Sequence, residues 1–129
     1  MDAVLVVDKP VGMSSFDVIR ELESLAGEMK MGHTGTLDPK ASGVLVICMG
    51  WATKLVPFLT GDEKSYEATV RLGETTSSYD TESEVVRRSN VPPLSFDEVD
   101  ACLDQFRGRI MQRPPAFSAL HVDGARAYQ

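Results

Sequence analysis

Gly32-His33-Thr34-Gly35-Thr36-Leu37-Asp38-Pro39 runs through Lys40-Ala41-Ser42 into the apolar stretch Gly43-Val44-Leu45-Val46-Ile47-Cys48. The first eight residues hold three turn formers and no consistent apolar period, so they read as a loop. The proline after Asp38 biases that aspartate away from helical geometry. The Gly43–Cys48 run is short, continuous and rich in β-branched residues, which predicts a buried strand. An acid in a Gly-rich loop beside a histidine, directly before a buried strand, is the unusual feature of the chain. From the residues alone, a turn aspartate bonding its own backbone is the simpler reading.

Towards the N-terminus, Ala3 to Val7 predicts a second buried strand, stopped by Asp8-Lys9-Pro10-Val11-Gly12. Ser14-Ser15-Phe16-Asp17 has the form of a capped helix start. Val18, Ile19, Leu22, Leu25 and Ala26 then recur at helical spacing up to Gly27. Towards the C-terminus, Ala52 to Leu59 is a short helical pattern that Pro57 kinks or ends. Tyr66, Ala68, Val70 and Leu72 alternate with Glu67, Thr69 and Arg71, which predicts a half-exposed strand. Glu84 to Arg88 is a short strand. Ser95-Phe96-Asp97-Glu98 starts another helix, with Val99, Cys102, Leu103 and Phe106 on one face. Strands and helices interspersed without regular βαβ units predict an α+β fold, a mixed and largely antiparallel sheet with flanking helices.

The chain has 129 residues, 43% hydrophobic and 25% charged, within the range of one domain or part of one. It has no apolar run long enough to span a membrane and no export leader, so a cytoplasmic protein without membrane association is expected. Cys48 and Cys102 lie in apolar periodic segments without metal-ligand spacing and read as buried reduced thiols. The net charge of −6 opposes strong nucleic-acid binding. It is uneven, however: from Lys30 to Thr60 the charged residues are Lys30, Asp38, Lys40 and Lys54. P-loop, dinucleotide, nucleophile-elbow and H-E-x-x-H motifs are all missing, which removes several enzyme classes.

The stretch from Gly32 to Leu45 is similar to the G-H-T-G-T-L-D-P-x-A-[TS]-G-V-L signature of TruB-type pseudouridine synthases, relatives of dyskerin. The resemblance continues in order through Val7-Asp8-Lys9-Pro10-x-Gly12-x-Ser14-Ser15, Gly50-x-Ala52-Thr53-Lys54, Lys64-x-Tyr66, Arg71-Leu72-Gly73 and Pro114-Pro115-Ala116-Phe117-Ser118-Ala119. It implies the pseudouridine synthase catalytic fold, with residues 1–129 as the N-terminal portion of the catalytic domain. It implies an isomerase acting on the T-loop arm of tRNA at position 55, with no cofactor, no metal and no protein partner evident. A non-catalytic fragment or RNA-binding module of the same fold is the second reading.

The resemblance makes Asp38 the catalytic carboxylate, which must be ionised to act as nucleophile or base. It places Tyr66 on the uracil, as stacking ring and acceptor of the C5 proton; from the residues alone Tyr66 is a core tyrosine. His33, Gly35 and Thr36 fall among the RNA-binding positions. His33 would hold flipped-out nucleotides, or else bond backbone in its loop. Lys54 fits a phosphate contact and a solvated lysine equally. Lys9, Pro10 and Gly12 form a first motif that supports the active-site loop. Departures are Thr76-Ser77-Ser78-Tyr79-Asp80 in place of T-D-T-x-D, His121 in place of a lysine, Ala125 at a basic position, and Trp51 where the family is polar. Family members continue into a G-x-Y-I-R segment whose arginine pairs with the catalytic aspartate. The 129-residue chain alone is therefore expected to be inactive.

Overall fold

The computed structural model describes residues 1–61 and 63–111, and the backbone of 121–122 and 125–126. The chain forms two compact units, residues 1–66 and 67–129.

In the first unit, β1 (Ala3–Lys9) pairs antiparallel with β3 (Gly43–Met49), Ala3 opposite Met49 and Lys9 opposite Gly43. On the other side of β3 lies β2 (Met31–His33), also antiparallel, giving the order β1-β3-β2. Helix α1 (Ser15–Ala26) connects β1 to β2. Its start is fixed locally: Ser14 Oγ accepts from the Asp17 N–H, while the Asp17 carboxylate accepts from the Ser14 N–H at 2.9 Å and its hydroxyl at 2.6 Å. The Ser14 hydroxyl bond, then the Ser14 backbone bond, hold the Asp17 carboxyl below the usual carboxylate range. Gly27 ends the helix at φ +82°, where a side chain would be strained.

The apolar positions of α1 and one face of the sheet make the core. Val18, Ile19, Leu45, Ile47 and Met49 are buried, with Leu5, Val7, Leu22 and Leu37 packed around them. Full burial of each such side chain contributes about 1.5–3 kcal/mol. Strand β1 is therefore not buried throughout as expected: Val4 and Val6 point to the opposite face and are exposed. A continuous apolar run shows that both faces tolerate apolar contact, not that both receive it.

A 3₁₀ helix (Gly50–Leu55) and the single-turn α2 (Val56–Leu59) follow β3. Pro57 sits in the first turn of α2, where its missing N–H costs nothing, so it opens the helix rather than ending it.

In the second unit, β4 (Glu74–Thr76) and β5 (Val85–Arg88) form an antiparallel pair. Helix α3 (Phe96–Leu103) starts at the expected Ser95–Glu98 capping box and runs into a 3₁₀ turn, Asp104–Phe106. The Ser95 N–H, then its hydroxyl, lower the Glu98 pKa from its ordinary value. Strands β6 (His121–Val122) and β7 (Ala125–Arg126) pair antiparallel. Every strand pairing among the described residues is antiparallel, so the α+β class holds while the expected mixed character does not appear in these pairings.

Three expectations need correction. Residues 66–72 form no strand and are exposed, because alternation supplies a strand with a face but not with a neighbour to hydrogen-bond. Cys102 is exposed, on a helix whose Val99 and Leu103 remain 38% and 46% exposed; helical spacing defines an apolar stripe without supplying its cover. Gly32 and His33, expected in the loop, belong with Met31 to strand β2, since β3 offers a free edge that backbone groups of any sequence can pair with. No helix among the described residues is long and apolar enough to cross a membrane.

Candidate active site

The loop bearing Asp38 joins β2 to β3 and is tied down on both sides of the aspartate. Before it, the buried Ser15 hydroxyl accepts from the Leu37 N–H at 2.9 Å and lies 3.2 Å from the Leu37 carbonyl oxygen. After it, the Gly12 N–H donates to the Pro39 carbonyl at 2.7 Å. The Ala41 N–H closes a turn onto the Asp38 carbonyl at 3.0 Å. Aspartate first and proline second suit such a turn. The loop also starts from an anchored point, with Thr34 buried and its N–H donating to Val46 at 3.0 Å. Between these ties the Asp38 side chain is exposed.

The turn that supplies Gly12 is itself organised by Lys9. Lys9 is wholly buried, and its Nζ donates to the carbonyls of Pro10 at 2.9 Å and Met13 at 2.6 Å. Gly12 has φ +95°, a conformation that favours glycine. Lys9, Pro10 and Gly12 thus lie in one turn whose backbone reaches the residue after Asp38.

Ser15 was read from sequence only as part of the helix start. Its bond to Leu37 spans 22 positions, a separation that no local pattern encodes. Ser15→Ala is expected to leave α1 formed but lower stability by about 1–3 kcal/mol, since the Leu37 N–H loses its acceptor. Urea unfolding followed by circular dichroism measures it.

His33 ends β2 opposite Ile47, and its Nδ1 is buried without a hydrogen-bond partner among the described residues. A Cβ on Gly35 would make ordinary contact with Lys64 Cε at 3.4 Å, and one on Gly32 with Val56 Cγ2 at 3.6 Å. Val56 therefore lies beside β2, and the Lys64 side chain beside the start of the Asp38 loop. Tyr66 follows two residues later and is 71% exposed rather than part of a core. Thr36 is exposed.

Lys54 lies elsewhere, beyond the other end of β3, with its Nζ 4.0 Å from the centroid of the Trp51 ring. An exposed pair of this kind contributes about 0.5–1 kcal/mol. In the second unit, Thr76 and Asp80 bond to one another, Thr76 Oγ1 donating to the Asp80 carbonyl at 2.6 Å. The matches at Pro114-Pro115-Ala116-Phe117-Ser118-Ala119, and the side chains of His121 and Ala125, lie outside the described residues. Among the described residues there is no group of three or more His, Cys, Asp or Glu side chains placed to hold a metal.

Residues 23–129 match the model of the TruB family pseudouridylate synthase N-terminal domain. Similar curated proteins bear the name tRNA pseudouridine synthase B. That of Clostridium acetobutylicum is 45% identical over 128 residues, covering 99% of this chain and 44% of that protein. That of Dinoroseobacter shibae is 51% identical over 124 residues, covering 96% and 40%. That of Geobacillus kaustophilus is 44% identical over 130 residues, covering 100% and 46%. The chain spans less than half the length of these curated relatives.

Proposed function

The chain belongs to the TruB family of pseudouridylate synthases, and from that premise we propose that it carries the catalytic loop of a cytoplasmic tRNA pseudouridine-55 synthase, as the N-terminal portion of its catalytic domain. The observation that carries this reading is the double anchoring of the Asp38 loop, at Leu37 by Ser15 and at Pro39 by Gly12. An exposed carboxylate between two fixed backbone points is presented to a substrate with little freedom to lose on binding, as a positioned reactive group requires.

In the proposed reaction the N1–C1′ bond of a T-loop uridine breaks, the uracil turns, and a C5–C1′ bond forms. The C5 proton leaves, and N1 ends protonated. Asp38 acts as the nucleophile or base. Tyr66 stacks on the uracil and accepts the C5 proton. His33, Gly35 and Thr36 line the path of the neighbouring nucleotides, which must leave the stack for the base to be reached. Lys54 contacts phosphate. None of these steps calls on a cofactor or metal.

Treating a tRNA transcript with the protein extended to the length of its relatives, and mapping pseudouridine by carbodiimide modification and primer extension, tests the reading. A single new stop in the T-loop at position 55 is expected. Stops spread over other arms, or a protein that binds tRNA and leaves every uridine unchanged, would refute it; the second result would point to an RNA-binding module.

A further inference from the structure

Trp51 is the only tryptophan of the chain, and it is 71% exposed. Its turn is built to hold it there. Gly50 adopts φ +61°, and a Cβ at that position would collide with the Asp2 carboxylate and lie 2.6 Å from the Met1 carbonyl. The Gly50 N–H donates to the Lys30 carbonyl at 2.7 Å, and the Trp51 N–H to Asp2 Oδ1 at 2.6 Å. Thr53 Oγ1 closes back onto the Gly50 carbonyl at 2.8 Å. A large aromatic ring fixed at its backbone and left in solvent has stacking surface to offer.

One face of that ring carries the Lys54 ammonium. Lys54 has no carboxylate within ion-pairing distance among the described residues, and the nearby Asp2 carboxylate already accepts the Trp51 N–H. We propose that Trp51 and Lys54 form an accessory RNA site, in which an unpaired base stacks on the free face of the indole while Lys54 holds an adjacent phosphate. The proposal rests on the reading of RNA as substrate and deepens it. Aromatic stacking with a neighbouring cation is the general solution for holding unpaired nucleotides. The cation, without an acidic partner among the described residues, favours RNA over a protein partner on the exposed apolar positions Trp51, Leu55 and Phe58.

The site lies away from the chemistry. Trp51 follows the Met49 end of β3, whereas the Asp38 loop enters at Gly43, which at the rise of a strand is a separation of roughly 20 Å. The stacked nucleotide is therefore not the one that reacts, and its loss should appear in binding rather than in turnover.

The single tryptophan makes this directly readable. Titrating the protein with tRNA is expected to quench Trp51 emission. By anisotropy of labelled tRNA, Trp51→Ala should weaken binding by on the order of tenfold and, in the protein extended to the length of its relatives, raise KM by a similar factor with kcat nearly constant. Trp51→Phe, which keeps a ring, should recover most of the affinity. Lys54→Met should lower the slope of log affinity against log salt by about one. Unchanged affinity of Trp51→Ala together with unquenched emission, while tRNA still binds, would overturn the proposal and leave the reading of RNA as substrate intact. Unchanged tRNA affinity with altered self-association in sedimentation would also overturn it, and would assign the surface to protein contact. No tRNA binding by the unmodified protein would sink both.

Discussion

In the protein extended to the length of its relatives, Asp38→Asn is expected to lower pseudouridine formation by at least about three orders of magnitude, the loss seen when an enzyme's reacting group is removed, while tRNA affinity changes little. The substitution preserves the size of the side chain and the backbone it hangs from. The ties that place the loop, Ser15 to Leu37 and Gly12 to Pro39, involve no Asp38 side-chain atom, and neither does the turn closed onto its carbonyl. What is lost is a charged oxygen able to attack a carbon or take a proton. Nucleoside analysis of digested tRNA, with affinity measured on the same preparation, separates the two effects. Appreciable isomerisation by the variant would refute the assigned role.

The second large effect is expected from Lys9→Ala, which should cost about 3 kcal/mol or more of stability. Lys9 is wholly buried, so its removal leaves a cavity as well as two carbonyls, of Pro10 and Met13, that have lost their donor. The damage should reach the site, because the same turn presents the Gly12 N–H to Pro39. Denaturant midpoints with unchanged slope measure the stability loss. In a form of the protein that turns uridine over, activity should fall even at temperatures where the variant remains folded. A variant as stable and active as the parent would show that the first motif does not support the loop.

What the sequence made legible was local. Both capped helices start at the serines read from their side-chain pattern, Ser14 and Ser95, because a capping box is written within four residues. Strand β3 followed from a single uninterrupted apolar run. Strand β2 escaped notice because Met31-Gly32-His33 has no strand propensity of its own and is extended only by bonding to β3. The Tyr66–Leu72 alternation misled in the opposite sense, being a pattern without a bonded neighbour among the described residues. Asp38 and the first motif were visible as similarity to a family signature. The resemblance also implied that the first motif supports the loop, but not the bonds by which it does so, since Ser15–Leu37 and Gly12–Pro39 join residues more than twenty positions apart. The proximity of Lys64 to Gly35 was hidden for the same reason.

Tritium release from a tRNA transcript labelled at C5 of uridine is the most direct measurement, because only an isomerisation that rejoins the base through C5 expels that hydrogen. A form of the protein extended to the length of its relatives is expected to release one tritium equivalent per tRNA, from position 55. The same protein carrying Asp38→Asn should release none above a buffer control. Release that persists without Asp38, or no release from an extended protein that binds tRNA tightly, would contradict the placing of the reacting carboxylate on the loop between β2 and β3.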